Sequence, residues 1–566
     1  MHVLTAMKTF NRSLAFVTAG PLYQWGSLEA TRRSHVNCVR WLSTKYFLSP
    51  APSRRARWRC VSALDVAETK PIDFDSQDVD QNILLSKNGK QSKIVCTIGP
   101  KTCNVESIEE LAALGMDVVR LNMSHGTHEW HKEVIRNTRI VREKGMHKLS
   151  ILLDTKGPEV RSGDLKAPLK IERGQRFVWT IRNDFQGEPN TVDVSYDDFV
   201  KDIHVGDLLL VDGGMSSFVC TEITETDVIT ECVDGGVLTS RRHLNVRGKS
   251  ASLPAITDKD WEDIKFGIEN DVDFYALSFV KHQDDVLKLK NYLHDQGVKA
   301  LVLSKIESAD AVKQLRPILE ASDGAMVARG DLGAEIPIED VPLVQEEIVA
   351  INRALRKPTI VATHMLESMI TYPAPTRAEV TDITEAIRQG ADATMLSGET
   401  ANGSYPREAV EVMATVASSV VKQNAQLSDS PLFSPSARPP QNGRSPDPRL
   451  DLAYAASTIA YKVRAKAIVV FTRTGTYGRL VSSTRPRCPI IAFAPDQGLV
   501  QRLTLLWGVQ PFSIDFENDP EETTAKAIEF LKRQNLTSSK DTLVLTSDML
   551  TKGNGKVNTI QIRRVH

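Results

Sequence analysis

Eight short apolar runs that alternate with amphipathic helical stretches constrain the fold of this chain more than any other feature. The runs are rich in β-branched residues, and most segments between them have the spacing of helices. Strands that alternate with helices predict parallel pairing, and eight such units favour a closed (β/α)8 (TIM) barrel over an open sheet. The runs are Ile94–Ile98, Val118–Asn122, Leu149–Asp154, Phe274–Phe279, Ala300–Lys305, Ala325–Ala328, Thr359–Ala362 and Ala393–Leu396. Helices are predicted, for example, over Asp258–Asn270, His282–Gln296, Ala309–Ala321 and Val344–Leu355.

One long connection, between the third and the fourth run, interrupts the alternation of strands and helices. Residues 159–255 contain short alternating runs with Gly-Gly turns, which predict an all-β domain inserted into the barrel. The barrel itself would then occupy residues 91–158 and 256–426. The runs of the insertion are Phe177–Ile181, Asp207–Val211 and Phe218–Ile223, and the turns are Gly213-Gly214 and Gly235-Gly236.

The last part of the chain predicts a further domain. Residues 427–448 hold six prolines and little apolar periodicity, which indicates a flexible linker. Residues 449–566 return to an α/β pattern, with strands predicted near Ala467–Phe471, Ile490–Phe493 and Thr542–Leu545.

The N-terminal segment differs in charge from the rest. Residues 1–64 contain ten Lys or Arg and one acidic residue, Glu29, as in an organellar transit peptide, and residues 65–90 follow as a connecting segment. The alternative for this leader is a disordered basic tail with a nucleic-acid role. The whole chain has 566 residues and a formal net charge of −1, so no global field points to nucleic acid or to an anionic membrane as a partner.

Polar residues follow seven of the eight runs, at the positions where a parallel barrel places its active site. Convergence of seven polar strand ends on one rim predicts a site for an anionic substrate. These ends are Thr97–Pro100, Arg120–His125, Asp154–Lys156 with Arg161, Lys305–Glu307, Arg329–Asp331, Thr363–His364 and Ser397–Thr400.

Glu307 and Asp331 end adjacent predicted strands, which brings two carboxylates together. Two hard oxygen ligands with open positions suit Mg²⁺ (or Mn²⁺) shared with a substrate. A structural ion-pair network with Arg329 or Lys305 is the alternative. Lys305 faces the same side as Glu307 and suits stabilisation of a phosphoryl group or an enolate. It could instead form a Schiff base, although neighbouring carboxylates would keep it protonated.

Other rim residues offer backbone donors and neutral oxygens. Gly330-Asp331-Leu332-Gly333 is predicted to begin a turn whose N–H groups could hold a carboxylate. Asn122, Ser124, Asp154 and Thr155 offer one carboxylate and several neutral oxygens, which suits a monovalent cation, or else a hydrogen-bonded rim. The default reading of His125 is a hydrogen-bonded rim histidine.

Six motifs, in this order along the chain, resemble those of the pyruvate kinase family over roughly residues 90–566. The motifs are Val118–Gly126, Leu153–Arg161, Ser304–Glu307, Met326–Gly333, Met365–Met369 and Met395–Thr400. The resemblance implies phosphoryl transfer from phosphoenolpyruvate to ADP, giving pyruvate and ATP as the last step of glycolysis. It also implies Mg²⁺ and K⁺ as cofactors and a tetramer-type homo- or hetero-oligomer.

The resemblance assigns the chemistry of the rim residue by residue. Lys305 would stabilise the transition state, and Arg120 would contact the transferring phosphoryl group. The backbone of Gly330 and Asp331, with Thr363, would hold the substrate carboxylate. Thr363 and the neighbourhood of Ser397 and Glu399 are candidates for the relay that protonates the enolate.

The same resemblance assigns the cations and the nucleotide. Glu307 and Asp331 would bind Mg²⁺, while Asn122, Ser124, Asp154 and Thr155 would bind K⁺. Asn122, Ser124, His125, Arg161 and Arg242 would face the nucleotide. In this family a glutamate at the position of Glu159 goes with K⁺ dependence. The inserted domain would close as a lid over the nucleotide.

The sequence also departs from the family pattern. Arg242 stands where many members have lysine, and the Pro-rich linker is longer than usual. Thr472–Gly478 lies where regulated members hold a sugar bisphosphate, but Met549–His566 does not resemble their effector loop, so regulation by fructose 1,6-bisphosphate is not implied. The leader and the run Ser240–Lys249 resemble plant plastid forms, where pyruvate feeds fatty acid synthesis; the mitochondrion or cytosol is the alternative location.

Other functional readings rest on the same fold. One is a weakly active regulatory subunit of a hetero-oligomeric pyruvate kinase, although the metal carboxylates and the key lysine are retained. Another is a metal-dependent lyase on a similar barrel, which would lack the inserted lid and the C-terminal domain. A third is a purely structural binding protein, which no sequence feature favours.

Overall fold

Eight parallel strands close into the predicted barrel in a computed structural model of the chain. The structure describes residues 90–144, 148–182, 185, 187–248, 253–427, 447–547 and 558–566. The barrel closes because its first strand pairs with both the second and the last strand, and every neighbouring pair is parallel. Its strands are β1 (Lys93–Thr97), β2 (Val118–Asn122), β3 (Ser150–Asp154), β12 (Phe274–Leu277), β13 (Leu301–Ile306), β14 (Gly324–Ala328), β15 (Thr359–Ala362) and β16 (Ala393–Leu396). All eight coincide with the predicted runs to within three residues at either end.

Helices surround these strands and bury an apolar face against them. Side chains such as Leu152, Phe274, Leu303 and Met326 fill the interior of the barrel, so it is a packed core. The helices are α1 (Val105–Leu114), α2 (His128–Glu143), α4 (Asp258–Glu269), α5 (Gln283–Asp295), α6 (Ala309–Lys313), α7 (Leu315–Ala321), α8 (Arg329–Glu335), α9 (Val341–Leu355), α10 (Arg377–Gln389), α11 (Gly398–Ala401) and α12 (Pro406–Leu427).

Four of these helices correct three sequence predictions. The helix predicted over Ala309–Ala321 is two helices that meet at Gln314. Pro317 lacks an N–H and its ring would clash with the carbonyl of residue 313, so it is accepted only in the first turn of a new helix. The helix predicted from Val344 begins at Val341, with proline in its first turn. The turn predicted over Gly330–Gly333 is instead part of α8, because helical backbone starts directly after β14.

The insertion between β3 and β12 is a small β domain that also contains the short helix α3 (Phe199–Asp202). Its main sheet has the order β11-β7-β8-β9-β5-β6, and β4 pairs with β10 beside it. Phe177, Trp179 and Phe218 pack against one another at its centre. Its strands are β4 (Leu169–Ile171), β5 (Arg176–Thr180), β6 (Thr191–Asp193), β7 (Leu208–Val211), β8 (Ser216–Ile223), β9 (Asp227–Asp234), β10 (Gly236–Leu238) and β11 (Leu244–Val246).

The C-terminal domain has a five-stranded sheet of order β19-β18-β17-β20-β21, parallel except for β21. The sequence predicted β17, β18 and β20, and missed β19 and β21. The elements are α13 (Pro448–Lys462), β17 (Ala467–Phe471), α14 (Thr476–Ser483), β18 (Ile490–Ala494), α15 (Gln497–Leu503), β19 (Val509–Ser513), α16 (Pro520–Arg533), β20 (Thr542–Ser547) and β21 (Thr559–Arg564).

Some predictions fall outside the described residues. These are the leader over residues 1–64, most of the segment 65–90, most of the linker 427–448 and part of the segment 549–566. Among the residues that the structure describes, no helix has the length and apolar character needed to cross a bilayer.

Candidate active site

Lys305 lies at the centre of the barrel rim, near the end of β13. Its Nζ lies 3.1 Å from Asp154 Oδ1 and 3.3 Å from Glu307 Oε2, and it donates a 2.7 Å hydrogen bond to Ser278 Oγ. Burial alone would lower the pKa of Lys305, but the charges of Asp154 and Glu307 outweigh burial and raise it. The lysine is therefore held as a buried cation.

Arg120 supplies a second cation on the neighbouring strands. Its Nε donates to Asp154 Oδ2 over 2.7 Å, and its Nη1 donates to Thr97 Oγ1 over 2.8 Å. Parallel pairing positions both partners of Arg120. Thr97 is its register partner on β1, and Asp154 on β3 is the register partner of Asn122, two residues after Arg120. Burial opposes ionisation of Asp154, but Lys305 and Arg120 together keep its pKa below the usual range. Asp154 thus organises two cationic side chains.

Glu307 is buried, and one of its oxygens lacks a hydrogen-bond donor. Oε1 accepts a 2.6 Å bond from the backbone N–H of Phe279, whereas Oε2 accepts none within the described part of the chain. Burial raises the pKa of Glu307 to about 7, with the charge of Lys305 opposing the shift and that of Asp331 adding to it. A buried carboxylate with an unfilled oxygen favours an additional cation at this point.

Asp331 lies in the first turn of α8 and faces the inserted domain. Its Oδ1 is 3.6 Å from Nδ1 of His243, which precedes β11. A cleft of about 580 Å³, partly open to solvent, lies between the insertion and the barrel, and Tyr196, His243, Phe279 and Glu335 contribute to its lining.

Arg329, beside Asp331, does not join the carboxylates. Its Nη1 pairs with Asp382 at 2.6 Å, and its Nη2 donates to the carbonyl of Thr363 over 2.5 Å. The alternative to a metal site was an ion-pair network of Glu307 and Asp331 with Arg329 or Lys305. Of that network, the described residues show only the contact between Lys305 and Glu307.

The backbone after β15 is strained beside this helix. Thr363 and His364 have φ angles of +74° and +55°, a region that residues other than glycine seldom adopt. A Cβ placed on Gly330 would come within 2.9 Å of Thr363 Cγ2, so glycine is required for the close approach of α8. Strain of this kind tends to occur at functional sites.

Glu399 joins the ends of β15 and β16. It is almost fully buried, and its two oxygens accept N–H groups of Leu366 and Ser397 over 3.0 and 2.7 Å. The carboxylate therefore holds the Ser397 backbone in place.

The predicted nucleotide residues lie at the end of β2 and in the insertion. Asn122 Oδ1 accepts from the N–H of Ser124 over 3.2 Å, and the side chain of His125 is exposed. In the insertion, Arg161 pairs with Glu159 at 2.6 Å, and Arg242 pairs with Asp212 at 3.1 Å. His125 is not hydrogen-bonded through its side chain in the described residues; its carbonyl oxygen accepts from His131 instead. The side-chain hydrogen bond expected for His125 is therefore not found among the described residues.

Sequence reasoning missed Ser278, Phe279 and His243. Ser278 Oγ accepts a hydrogen bond from Lys305 and donates one to the carbonyl of Thr155 over 2.6 Å. The end of β12, where the sequence predicted no polar site residue, therefore also contributes to the rim. The run Phe274–Phe279 did contain this signal, since its last two residues occupy the same position as the polar ends of the other strands. The contact of His243 depends on how the insertion packs, which has no local sequence signal.

The fold and this rim define a class of protein: a (β/α)8-barrel enzyme with buried cations and carboxylates arranged for a highly charged anionic substrate. Comparisons with known proteins narrow that class. The sequence models of the pyruvate kinase barrel domain and of the pyruvate kinase alpha/beta domain match residues 89–410 and 451–563. The chain belongs to the pyruvate kinase family and is a transferase.

Individual relatives agree with this assignment. Plastidial pyruvate kinase 2 of Arabidopsis thaliana is 50% identical over 461 residues, which span 81% of this chain and 77% of the relative. Pyruvate kinase isozyme G, chloroplastic, of Nicotiana tabacum is 47% identical over 480 residues, 84% of each chain. Pyruvate kinase of Clostridium perfringens is 36% identical over 479 residues, 84% of this chain and all of the relative.

Proposed function

We propose that this chain transfers the phosphoryl group of phosphoenolpyruvate to ADP at the barrel rim. The observation that carries the proposal is the buried cation of Lys305, held between Asp154 and Glu307 with Arg120 on the other side of Asp154. Phosphoryl transfer needs positioning and charge neutralisation more than covalent chemistry. Two fixed and buried cations provide both.

Lys305 acts in this proposal as the transition-state stabiliser and Arg120 as a contact of the transferring group. A Schiff base would need a neutral amine, and the raised pKa of Lys305 argues against that reaction. Ser278 fixes the direction of the ammonium group through its 2.7 Å hydrogen bond.

Glu307 and Asp331 are the residues that would hold Mg²⁺ (or Mn²⁺). Oε2 of Glu307 accepts no hydrogen bond in the described residues and lies 3.3 Å from the Lys305 ammonium, so it can still ligate a hard cation. The described residues contain no group of three or more His, Cys, Asp or Glu that could hold a metal, so the ion would depend on substrate oxygens as well. Two protein carboxylates leave positions for water and substrate oxygens, as is usual for Mg²⁺. The ion would supply neutralisation of substrate charge.

Asn122, Ser124, Asp154 and Thr155 are the residues that would hold K⁺. Asn122 and Asp154 are register partners on β2 and β3, and Thr155 follows directly. A carboxylate has about four lone-pair sites, so Asp154 can contact two side-chain cations and still accept a third cation. Glu159, paired with Arg161, is the residue that favours K⁺ dependence through the family resemblance.

The substrate carboxylate is proposed to lie against the backbone of Gly330 and Asp331 and against Thr363. Free N–H groups of the first turn of α8 and the short distance between Gly330 and Thr363 support this. Thr363 and Ser397 are candidates for the proton relay to the enolate, and Glu399 holds Ser397 by its backbone. Asn122, Ser124, His125, Arg161 and Arg242 are proposed to face ADP beneath the inserted lid, whose cleft against the barrel gives room for closure.

The names of the relatives in Arabidopsis thaliana and Nicotiana tabacum support a plastid location for this chain. The basic leader supports the same location, where pyruvate would feed fatty acid synthesis. We also propose a homo- or hetero-oligomer of the tetramer type. A weakly active regulatory subunit remains the second candidate function, because retained catalytic residues do not establish turnover.

A coupled assay of ATP formation tests the proposal on the chain with and without residues 1–64. We expect turnover that requires Mg²⁺ and collapses when K⁺ is replaced by a large organic cation such as tetramethylammonium. Indifference to K⁺ would contradict the assignment of Glu159. A preparation that is inactive alone but raises the activity of a partner subunit would favour the regulatory function.

A further inference from the structure

We propose that a cationic cleft between the barrel and the C-terminal domain binds a phosphate group, either free phosphate or a small phosphate monoester. The cleft has about 260 Å³ of space, part of it open to solvent. It lies where α9 ends and β15 begins, so it is at the opposite end of the barrel strands from the catalytic rim. The basic residues that line it are Arg353, Arg356, Lys357, Arg479 and Arg485.

The negative charge in this cleft does not balance its five basic residues. Asp392 is the one carboxylate among its described lining residues. Its Oδ1 accepts from Arg485 Nη1 over 2.9 Å and from the N–H of Trp507 over 3.2 Å. Its Oδ2 accepts from the N–H of Thr359 over 3.0 Å. Asp392 therefore pairs directly with Arg485, and its charge also acts on Arg353. Asp447, outside the lining, acts on Arg356. Few negative charges thus face five basic residues.

Three of the five basic residues have an ordinary structural role at helix C-termini, where cations and donors are favourable. Lys357 donates to the carbonyls of Leu319 and Glu320 over 2.8 and 2.7 Å at the end of α7. Arg353 donates to the carbonyl of Gln389 over 3.1 Å, and Arg485 donates to that of Gly390 over 2.8 Å, both at the end of α10.

Arg356 and Arg479 have no such role. Neither side chain makes a hydrogen bond or an ion pair with the residues that the structure describes. Arg479 Nε is buried without a partner, and so is Nε of Arg485. Arg356 has a φ of +60° directly after α9, a position where glycine is the usual residue. An arginine thus occupies a backbone conformation that favours glycine.

The two unpaired guanidinium groups repel each other across the cleft. Burial lowers the pKa of Arg479, and Arg356 and Arg449 lower it further although Asp323 opposes them. Burial also lowers the pKa of Arg353, and the positive charge of Arg485 lowers it further. A single anion between Arg356, on the barrel, and Arg479, on α14, would relieve this repulsion and fill the unpaired donors.

A phosphate group is the occupant that fits best. The planar fork of arginine matches phosphate oxygens in pairs. The linker segment 428–446 contains one acidic residue, Asp429, and two arginines, so its composition does not supply the missing negative charge.

The test measures the melting temperature of the full chain as inorganic phosphate is added, with NaCl at matched ionic strength as a reference for screening. The double variant R356Q/R479Q removes the two unpaired charges. The matched control R388Q/R533Q removes two exposed arginine charges from the same two domains. Phosphate that binds at the active site affects all three proteins equally, so the difference between the two variants reports on the cleft.

We expect phosphate to raise the melting temperature of the wild type and the control, and to bind R356Q/R479Q about tenfold more weakly or worse. Without phosphate, R356Q/R479Q should melt at or above the wild-type temperature, because repulsion is removed. Titration with glycerol 3-phosphate then identifies the source: tighter binding than free phosphate assigns an ester, and equal binding assigns the phosphate group itself.

Two results would overturn the proposal. One is an equal response to phosphate in R356Q/R479Q and R388Q/R533Q. The other is a NaCl response as large as the phosphate response, which would show screening of like charges and no specific site.

Discussion

Individual side chains at the rim act through shared partners, with Asp154 at the centre. It contacts both Arg120 and Lys305, and Ser278 reaches the same lysine from the neighbouring strand. Each cation is therefore oriented by a carboxylate that is itself buried and ionised. Groups fixed before substrate binds need no reorganisation during the reaction, which is the basis of electrostatic catalysis.

A strained threonine gives a prediction at the residue scale. Thr363→Gly should remove strain of about 1–2 kcal/mol, against a loss of about 0.4–1 kcal/mol from the greater freedom of unfolded glycine. Thermal melting should show unchanged or slightly higher stability, while a coupled assay shows reduced turnover because the hydroxyl is lost. Thr363→Ser keeps the hydroxyl and should retain most activity. Clear destabilisation of Thr363→Gly would contradict the account of strain.

At the scale of elements, Glu399 joins the segments after β15 and β16. Glu399→Gln should destabilise the protein by about 1–3 kcal/mol, because an amide cannot accept both N–H groups that the carboxylate accepts. Turnover should also fall, since Ser397 is no longer held. Melting temperature and a coupled assay measure both effects. Glu408→Gln, an exposed change on α12, is the matched control; equal behaviour of the two variants would refute the role of Glu399.

Another element-scale prediction concerns β1 and the C-terminal domain. Lys93 Nζ donates to the carbonyl of Val509 at the start of β19 over 2.7 Å. Burial lowers the pKa of Lys93 from 10.5 to about 8, although Asp117 opposes this. Between these values the unfolded chain binds a proton that the folded chain does not, so the contribution of Lys93 to stability rises with pH, by about 3 kcal/mol in total.

The measurement is the melting temperature at pH 8 and at pH 10 for the wild type and Lys93→Met. Other groups also titrate in this window, so the difference between the two proteins is the quantity of interest. The wild type should gain stability relative to Lys93→Met as the pH rises. Lys132→Met, an exposed change on α2, should follow the wild type. A constant difference between wild type and Lys93→Met would contradict the pKa assignment.

At the scale of the whole molecule, the sequence predicted what has local periodicity. The eight barrel strands, the β insertion and the C-terminal α/β domain follow from runs of apolar residues and turn signals, and the structure confirms this fold class. Strands β19 and β21 were not predicted, because Gln510-Pro511 and Gln561–Arg564 interrupt the apolar pattern. Pairing with β18 and β20 makes them strands.

The candidate site likewise combines features that the sequence predicted with features that depend on tertiary packing. Lys305, Glu307 and Asp331 could be predicted, because strand ends of a parallel barrel meet at one rim. The contact between His243 and Asp331, the strain at Thr363 and the unpaired arginines Arg356 and Arg479 could not. These depend on how separate domains and loops pack, and packing leaves no periodic mark in a single sequence.

The central claim is that Lys305 is the fixed cation on which phosphoryl transfer depends. The most direct measurement is a coupled assay of Lys305→Met beside Lys288→Met, which removes an exposed lysine of α5. Lys305→Met should retain the far-ultraviolet circular dichroism of the folded protein and lose about 10³-fold or more in turnover, while Lys288→Met should match the wild type. Wild-type turnover in folded Lys305→Met would contradict the claim.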